Sequence, residues 1–347
     1  MEGIDLPRVT EWLLANVEAV EAPFGLDFIS GGRSNLTFEV TDARGRRLVL
    51  RRPPISHVLS TAHDMGREHR IISALRATPV PVPAALGYCD DEAVNGRPFY
   101  VMEYVDGHVL RTAKGAEEVL DEGARRTAGN DLVDVLVAIH GVDVDAVGLG
   151  DLGRRGGYIE RQLKRWYGQF QQSQAQEAEA GIHRAVPLVD EVHDLLCKHV
   201  PDQQGVAIAH GDYRLDNTIV GPDGRIRAVL DWELCTLGDP LADLGILLIY
   251  WADRVAGQQP RVQPTTALRG FPAKAELVER YGARSGRDLA ALPFYVAFGH
   301  WKLACISEGV FARYATGAMG SGQSLFDPDG QQVTRRAQLA LDALAEL

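Results

Sequence analysis

Residues 210–220 read HGDYRLDNTIV, and nineteen positions beyond the aspartate of this stretch the chain runs LDWE, residues 230–233. The order is an acid, Asp212, then a carboxamide, Asn217, then a second acid, Asp231. Such a set suits phosphoryl transfer, in which one aspartate accepts the proton of an attacking hydroxyl. The amide oxygen and the later carboxylate then hold a magnesium ion against nucleotide phosphates. All three groups offer oxygen, the donor that a hard cation prefers. Each has a plainer reading alone, Asp212 as a turn aspartate and Asn217 as an Asx turn. Two flanking apolar strands favour the chemical reading: GVAIAHG (205–211) before the loop, and NTIVGPDGRIRAVLDW (217–232), whose PDG turn closes a hairpin. Asp231, at the end of RAVLD, is expected to project from a strand terminus.

Working outward, DLPRVTEWLLANV (5–17) places Leu6, Val9, Leu13 and Val17 on one helical face, with Asp5 as N-cap and Pro7 in the first turn. LDFISGGRSNLTFEVTDARGRRLVLRRPP (26–54) reads as three strands, and alternation in LTFEV and RLVLR predicts half-buried antiparallel pairing. A helix is expected from His63 to Arg76, then strands around AALGYCD and PFYVMEYV. The stretch VMEYVDG marks the passage from strands to helices, which divides the chain into residues 1–105 and 106–347. Helix is expected from Glu117 to His140 with a break near Gly129, along GYIERQLKRWYGQFQQSQAQ and VPLVDEVHDLLCKHV, and over most of the chain beyond Pro240. Asp239 before Pro240 has the form of an N-cap followed by proline at the first helical position. His210 reads as a support for the loop, and Asp243 as a loop anchor.

HGDxxxxN, the LDWE strand end and GDPLADLG together resemble the aminoglycoside phosphotransferase family, a small-molecule branch of the protein-kinase-like fold. GRSNLTFEV, LVLRRPP and GDLGRRGGYIERQLKRW resemble the kinase-like domains associated with acyl-CoA dehydrogenases. The resemblance implies an α+β, bilobal protein-kinase-like fold, with a small N-terminal antiparallel sheet lobe and a larger, mainly helical C-terminal lobe. It implies Asp212 as the catalytic residue and Asn217 and Asp231 as metal ligands. In the first lobe it implies a phosphate-covering turn at Gly31, Gly32, Ser34 and Asn35, and a cation on the third strand. That cation is usually lysine; here Arg51 or Arg52 stands in its place, and alternation favours Arg51. Glu68 is the matching helix acid, and Glu103 to Val105 would meet a purine through backbone groups. Arg214, Glu233, Trp301 and Glu308 are candidate substrate contacts, although the last two lie at helical spacing that equally suits packing.

The cofactors implied are ATP, with GTP open, and Mg²⁺; the acceptor is a hydroxylated small molecule, for instance a hydroxyacyl-CoA or hydroxy acid. An aminoglycoside-modifying kinase and a nucleotide-binding pseudoenzyme regulating a lipid-metabolism partner are the alternatives, and an acyl-CoA dehydrogenase is the functional partner considered. With 347 residues and 46% hydrophobic content the chain can build an extensive core. Its net charge of -11 speaks against a general nucleic-acid binder. Four scattered cysteines without metal-type spacing, no N-terminal apolar run and no membrane-length stretch lead to the expectation of a cytoplasmic, soluble protein. Oligomeric state is not legible.

Overall fold

The structure is a computed structural model, and it describes residues 3–31, 35–54, 64–254, 263–316 and 331–347. In chain order the elements are α1 (Leu6–Asn16), β1 (Gly25–Gly31), β2 (Leu36–Thr41), β3 (Arg47–Arg52), α2 (Met65–Leu75), β4 (Ala85–Cys89), α3 (Glu92–Asn95) and β5 (Phe99–Glu103). There follow α4 (Ala113–Val119), α5 (Glu122–His140), α6 (Tyr158–Glu179), α7 (Pro187–Lys198), β6 (Ala207–Ala209), β7 (Thr218–Val220), β8 (Ile226–Val229) and β9 (Thr236–Gly238). The remainder is helical: α8 (Pro240–Tyr250), α9 (Lys274–Ser285), α10 (Leu292–Ala315) and α11 (Gln331–Leu344). The chain packs as two compact units, one of Met1–Ala138, Asp145–Leu149 and Leu215–Leu234, the other of Ile139–Val144, Gly150–Arg214 and Cys235–Leu347.

In the first unit five antiparallel strands form a sheet in the order β1-β2-β3-β5-β4. Period-two alternation gives the sheet two different faces. Phe38, Val40, Leu48, Leu50, Phe99 and Val101 form one apolar face, which packs against Val9, Leu13 and Val17 of α1 and its C-cap. Val9 and Leu13 have no exposed surface, and full burial of such side chains stabilises by roughly 1.5–3 kcal/mol each. The opposite face carries Val49, Arg51, Tyr100 and Met102, and α2 packs there. Asp64 caps α2, accepting a hydrogen bond from the Arg67 N–H at 2.9 Å. The hairpin β7–β8 belongs to this unit, because Val220 bridges His108 through two backbone hydrogen bonds and Val229 N–H donates to the Pro81 carbonyl.

The sequence places a break near Gly129, but α5 runs through that position. The interruption falls at Leu120 and Asp121, where the Asp121 carboxylate accepts from the Ala124 N–H at 2.7 Å and starts a new helix. In the second unit α8 is buried all round, as expected of an apolar helix at the centre of a helical core. Asp239 caps it by accepting from the Leu241 N–H, and its other oxygen accepts from Tyr295 Oη at 2.7 Å. Gly245 lets α8 approach α10: a Cβ there would lie 2.5 Å from the Tyr295 carbonyl oxygen. Among the described residues no helix is long and apolar enough to cross a membrane, and none of the four cysteines is in a disulfide.

Candidate active site

β6 ends at Ala209, and the next residues are gripped by buried groups of the second unit. Both carboxylate oxygens of Asp243, on α8, accept backbone N–H groups, from His210 at 2.6 Å and from Gly211 at 2.8 Å. Asp243 is fully buried and lies 3.4 Å from His140 Nε2. Burial alone would raise its pKa; the His140 hydrogen bond, the nearby imidazoles and the Gly211 N–H overcome that and hold it below the ordinary range. Gly211 has φ +84°, a left-handed conformation suited to glycine, and its carbonyl accepts from Lys302 Nζ at 2.8 Å. The Asp212 N–H donates to His210 Nδ1 at 3.3 Å, which assigns the proton of a neutral His210 ring to Nε2. The Asp212 carboxylate is partly exposed and meets Arg214 Nε at 3.2 Å, while the Arg214 guanidinium covers the Tyr250 ring.

Between Arg214 and Leu215 the chain passes into the first unit. There Asn217 and Asp231 flank the same end of the β7–β8 hairpin: Thr218 pairs with Val229, and the Leu230 N–H donates to the Asn217 carbonyl at 2.9 Å. Asp231 adopts φ +64°, a region that non-glycine residues enter uncommonly and aspartate more readily than most. Its carboxylate receives Arg51 Nη2 at 2.5 Å, and Arg51 Nε lies 3.2 Å from Glu68. Burial opposes the Arg51 charge, but Glu68 and Asp231 overcome it and hold its pKa above the usual value. Glu68, 2% exposed, also accepts from Tyr100 Oη at 2.9 Å; burial raises its pKa more than Arg51 lowers it.

Asn35 lies between Glu68 and Glu233, donating to each at 3.3 Å, and its own Oδ1 is buried without a partner among the described residues. One oxygen each of Glu68, Asp231 and Glu233 fall within 4.8 Å of one another. Three carboxylates against the single charge of Arg51 leave an excess of negative charge. Oxygen donors at this spacing, with a further unpartnered oxygen beside them, fit a hard divalent cation.

Arg51, and not Arg52, therefore points to Glu68 and Asp231; Arg52 lies on the other face and donates to the Pro53 carbonyl. Gly31 ends β1 opposite Leu36, while Gly32 and Ser34 lie outside the described residues. Glu103 closes β5 with its N–H donated to the Ala84 carbonyl, and Val105, half-buried, follows the strand. Two expected substrate contacts are corrected. Trp301 is fully enclosed and donates its indole N–H to the Val189 carbonyl at 3.0 Å. Glu308 is also fully buried and is held by Arg184 and Gln174. Neither presents surface to a ligand. Sequence reasoning missed Tyr100, Glu177 and Arg184. Glu177 had a signal, because it continues the buried face of Trp166, Phe170 and Ser173 at helical spacing.

The family model for the phosphotransferase enzyme family, APH, matches residues 25–295. Acyl-CoA dehydrogenase family member 10 of Mus musculus is 35% identical over 319 residues, covering 90% of this chain and 28% of its own length. The probable acyl-CoA dehydrogenase IBR3 of Arabidopsis thaliana is 33% identical over 332 residues, 90% of this chain and 39% of its own. The chain thus spans well under half the length of these curated relatives. Among solved structures, a candidate aminoglycoside phosphotransferase of Ralstonia eutropha JMP134 superposes with a TM-score of 0.81 at 32% identity, covering 98% of both chains. The ternary complex of APH(2″)-IIa with streptomycin and ATP, at 15% identity and a TM-score of 0.62 over 95% of this chain and 99% of that one, shares the kinase-like fold. By the match to its model and the near-complete superposition on the Ralstonia protein, the chain belongs to the phosphotransferase enzyme family.

Proposed function

We propose that this chain transfers the γ-phosphoryl group of ATP to a hydroxyl of a small molecule, with a hydroxyacyl-CoA or hydroxy acid as the acceptor. The observation that supports this reading is the backbone pairing of Asn217 with Leu230 on one hairpin, after which Asp231 brings a carboxylate oxygen within 4.8 Å of those of Glu68 and Glu233. The acyl acceptor is favoured by the names of the relatives that match along nine-tenths of this chain. Four cysteines outside any disulfide suit a reducing compartment such as the cytoplasm.

In the proposed reaction Asp212 accepts the proton of the acceptor hydroxyl as its oxygen bonds to the γ-phosphorus. The bond from that phosphorus to the β–γ bridging oxygen breaks, and ADP departs with the electron pair. Asn217 and Asp231 would hold a magnesium ion, which when bound neutralises charge on the nucleotide phosphates. Arg51 adds a guanidinium on the phosphate side, and Glu68 orients it. Residues 1–105 would contribute the nucleotide contacts and residues 106–347 the acceptor contacts, with Arg214 and Glu233 as candidates for the latter.

The alternative, a nucleotide-binding protein without turnover that regulates a lipid-metabolism partner, is favoured by one observation: Arg51 engages the carboxylate that a metal would need. Incubation with γ-labelled ATP and Mg²⁺ against a panel of hydroxyacyl-CoAs, hydroxy acids, sugars, amino alcohols and aminoglycosides separates these readings. Label is expected in a hydroxyacyl-CoA or hydroxy acid. Label in aminoglycosides alone overturns the acceptor class, and bound nucleotide with no labelled acceptor supports the alternative.

A further inference from the structure

We infer that Lys302 is a positioning residue for Asp212, acting by its charge on the peptide that joins Gly211 to Asp212. This rests on the reading of Asp212 as the proton acceptor. Lys302, on α10, is 5% exposed, and its ammonium donates to the Gly211 carbonyl oxygen at 2.8 Å. The N–H of that same peptide group is the Asp212 N–H, which donates to His210 Nδ1. The peptide plane is therefore held at both its oxygen and its nitrogen, and its tilt sets the direction in which the Asp212 side chain leaves the backbone. Gly211, at φ +84°, has little intrinsic preference to keep that tilt unaided.

The grip is electrostatically asymmetric. The N–H groups of His210 and Gly211 face the Asp243 carboxylate, while the Gly211 carbonyl faces the Lys302 ammonium. A buried anion thus holds the donors of the loop, and a buried cation holds its acceptor. The same ammonium lies 5.3 Å from the centroid of the Trp166 ring, a cation–π contact that a methionine would not make. Burial disfavours the ammonium and brings its pKa down to about 8; Asp212 and Asp243 pull it back up, and Arg165 pushes it further down. These groups and the Trp166 ring are what face Lys302 from the loop, from α8 and from α6. The sign is that of a group whose folded pKa is depressed below 10.5: the buried charge weighs against folding below about pH 8, and this penalty fades as pH rises from there. Retention of a charge that the fold would be more stable without points to a role in the loop.

The test compares wild type with Lys302→Met and Lys302→Arg in the full chain, by amide hydrogen exchange at Gly211 and Asp212 and by the pH profile of phosphoryl transfer. Lys302→Met is expected to exchange the Asp212 amide faster and to melt within a few degrees of wild type. Its kcat is expected to fall by about tenfold to a hundredfold, the scale of a small misplacement of a reacting group, while the KM for ATP changes little. Wild-type kcat should decline as pH rises through about 8. That limb should vanish in Lys302→Met and move to higher pH in Lys302→Arg. A limb that survives in Lys302→Met belongs to another group and overturns the role by charge; unchanged exchange at Asp212 overturns the positioning itself. Should wild type transfer no phosphate, the phosphotransferase reading fails, and the exchange measurement still decides whether Lys302 holds the loop.

Discussion

Glu177 shows most plainly what a single side chain can cost a fold. It lies on the buried face of α6 at 1% exposure, and neither of its carboxylate oxygens has a hydrogen-bond partner among the described residues. Beside it Glu308 is fully buried and already engaged by Arg184 and Gln174, so two carboxylates face one guanidinium. Burial and then the charge of Glu308 raise the Glu177 pKa to about 7 against the pull of Arg184. A folded pKa above the unfolded value of 4.5 means that the folded state binds the extra proton between these limits. Stability is therefore greatest below about pH 4.5 and declines as pH rises to about 7. After discounting for screening, the decline attributable to Glu177 is about 1–2 kcal/mol. Glu177→Gln should abolish most of it, so that the variant melts above wild type at pH 8 and near it at pH 5; equal destabilisation at both would contradict the raised Glu177 pKa. The family resemblance made Glu308 and Trp301 candidates, and their helical spacing, which equally suited packing, could not tell an inward face from a ligand-facing one. Arg184, the partner of Glu308, lies in an irregular segment that carries no periodic signal. Strand alternation favoured Arg51 over Arg52 without deciding between them, because alternation separates the two faces but does not say which one meets Glu68.

Among the elements, α8 does more than fill the core. Its N-cap, Asp239, ties it to α10 through Tyr295, and one turn further on Asp243 holds the two N–H groups ahead of Asp212. Asp243→Ala would leave those buried donors and His140 without their acceptor. The expected loss is about 3–5 kcal/mol of stability, the scale seen when one member of a buried charged pair is removed. Urea unfolding of Asp243→Ala and Asp243→Asn measures this, with Asn expected to retain part of the stability because one oxygen can still accept. A loss below 1 kcal/mol by the linear extrapolation, for Asp243→Ala, would contradict the anchoring role. The cap at Asp239 and Pro240 was readable from local chemistry. The division between α4 and α5 was misplaced because glycine suggests a break, whereas a helix buried on one side tolerates Gly129 and the Asp121 side chain offers a better start.

At the scale of the whole molecule, alternation and turn chemistry made the sheet and the helical remainder legible, and the HGD, Asn and LDWE elements made the family legible. What they could not convey is that Leu215–Leu234 packs with the sheet-bearing unit far upstream in sequence. That membership rests on backbone hydrogen bonds from Val220 to His108 and from Val229 to Pro81, contacts that leave no pattern in either partner. One consequence is that the metal-ligand candidates and Arg51 belong to one compact unit, while Asp212 and its supports belong to the other. Loss of Asp212 should accordingly spare nucleotide affinity. Single-turnover transfer from labelled ATP and Mg²⁺ to the labelled acceptor, compared between wild type and Asp212→Ala alongside calorimetric binding of ATP, bears on this most directly. The expected result is a rate lower by about a hundredfold to ten-thousandfold with ATP affinity within about threefold of wild type. Turnover equal to that of wild type, or loss of nucleotide binding together with activity, would contradict it.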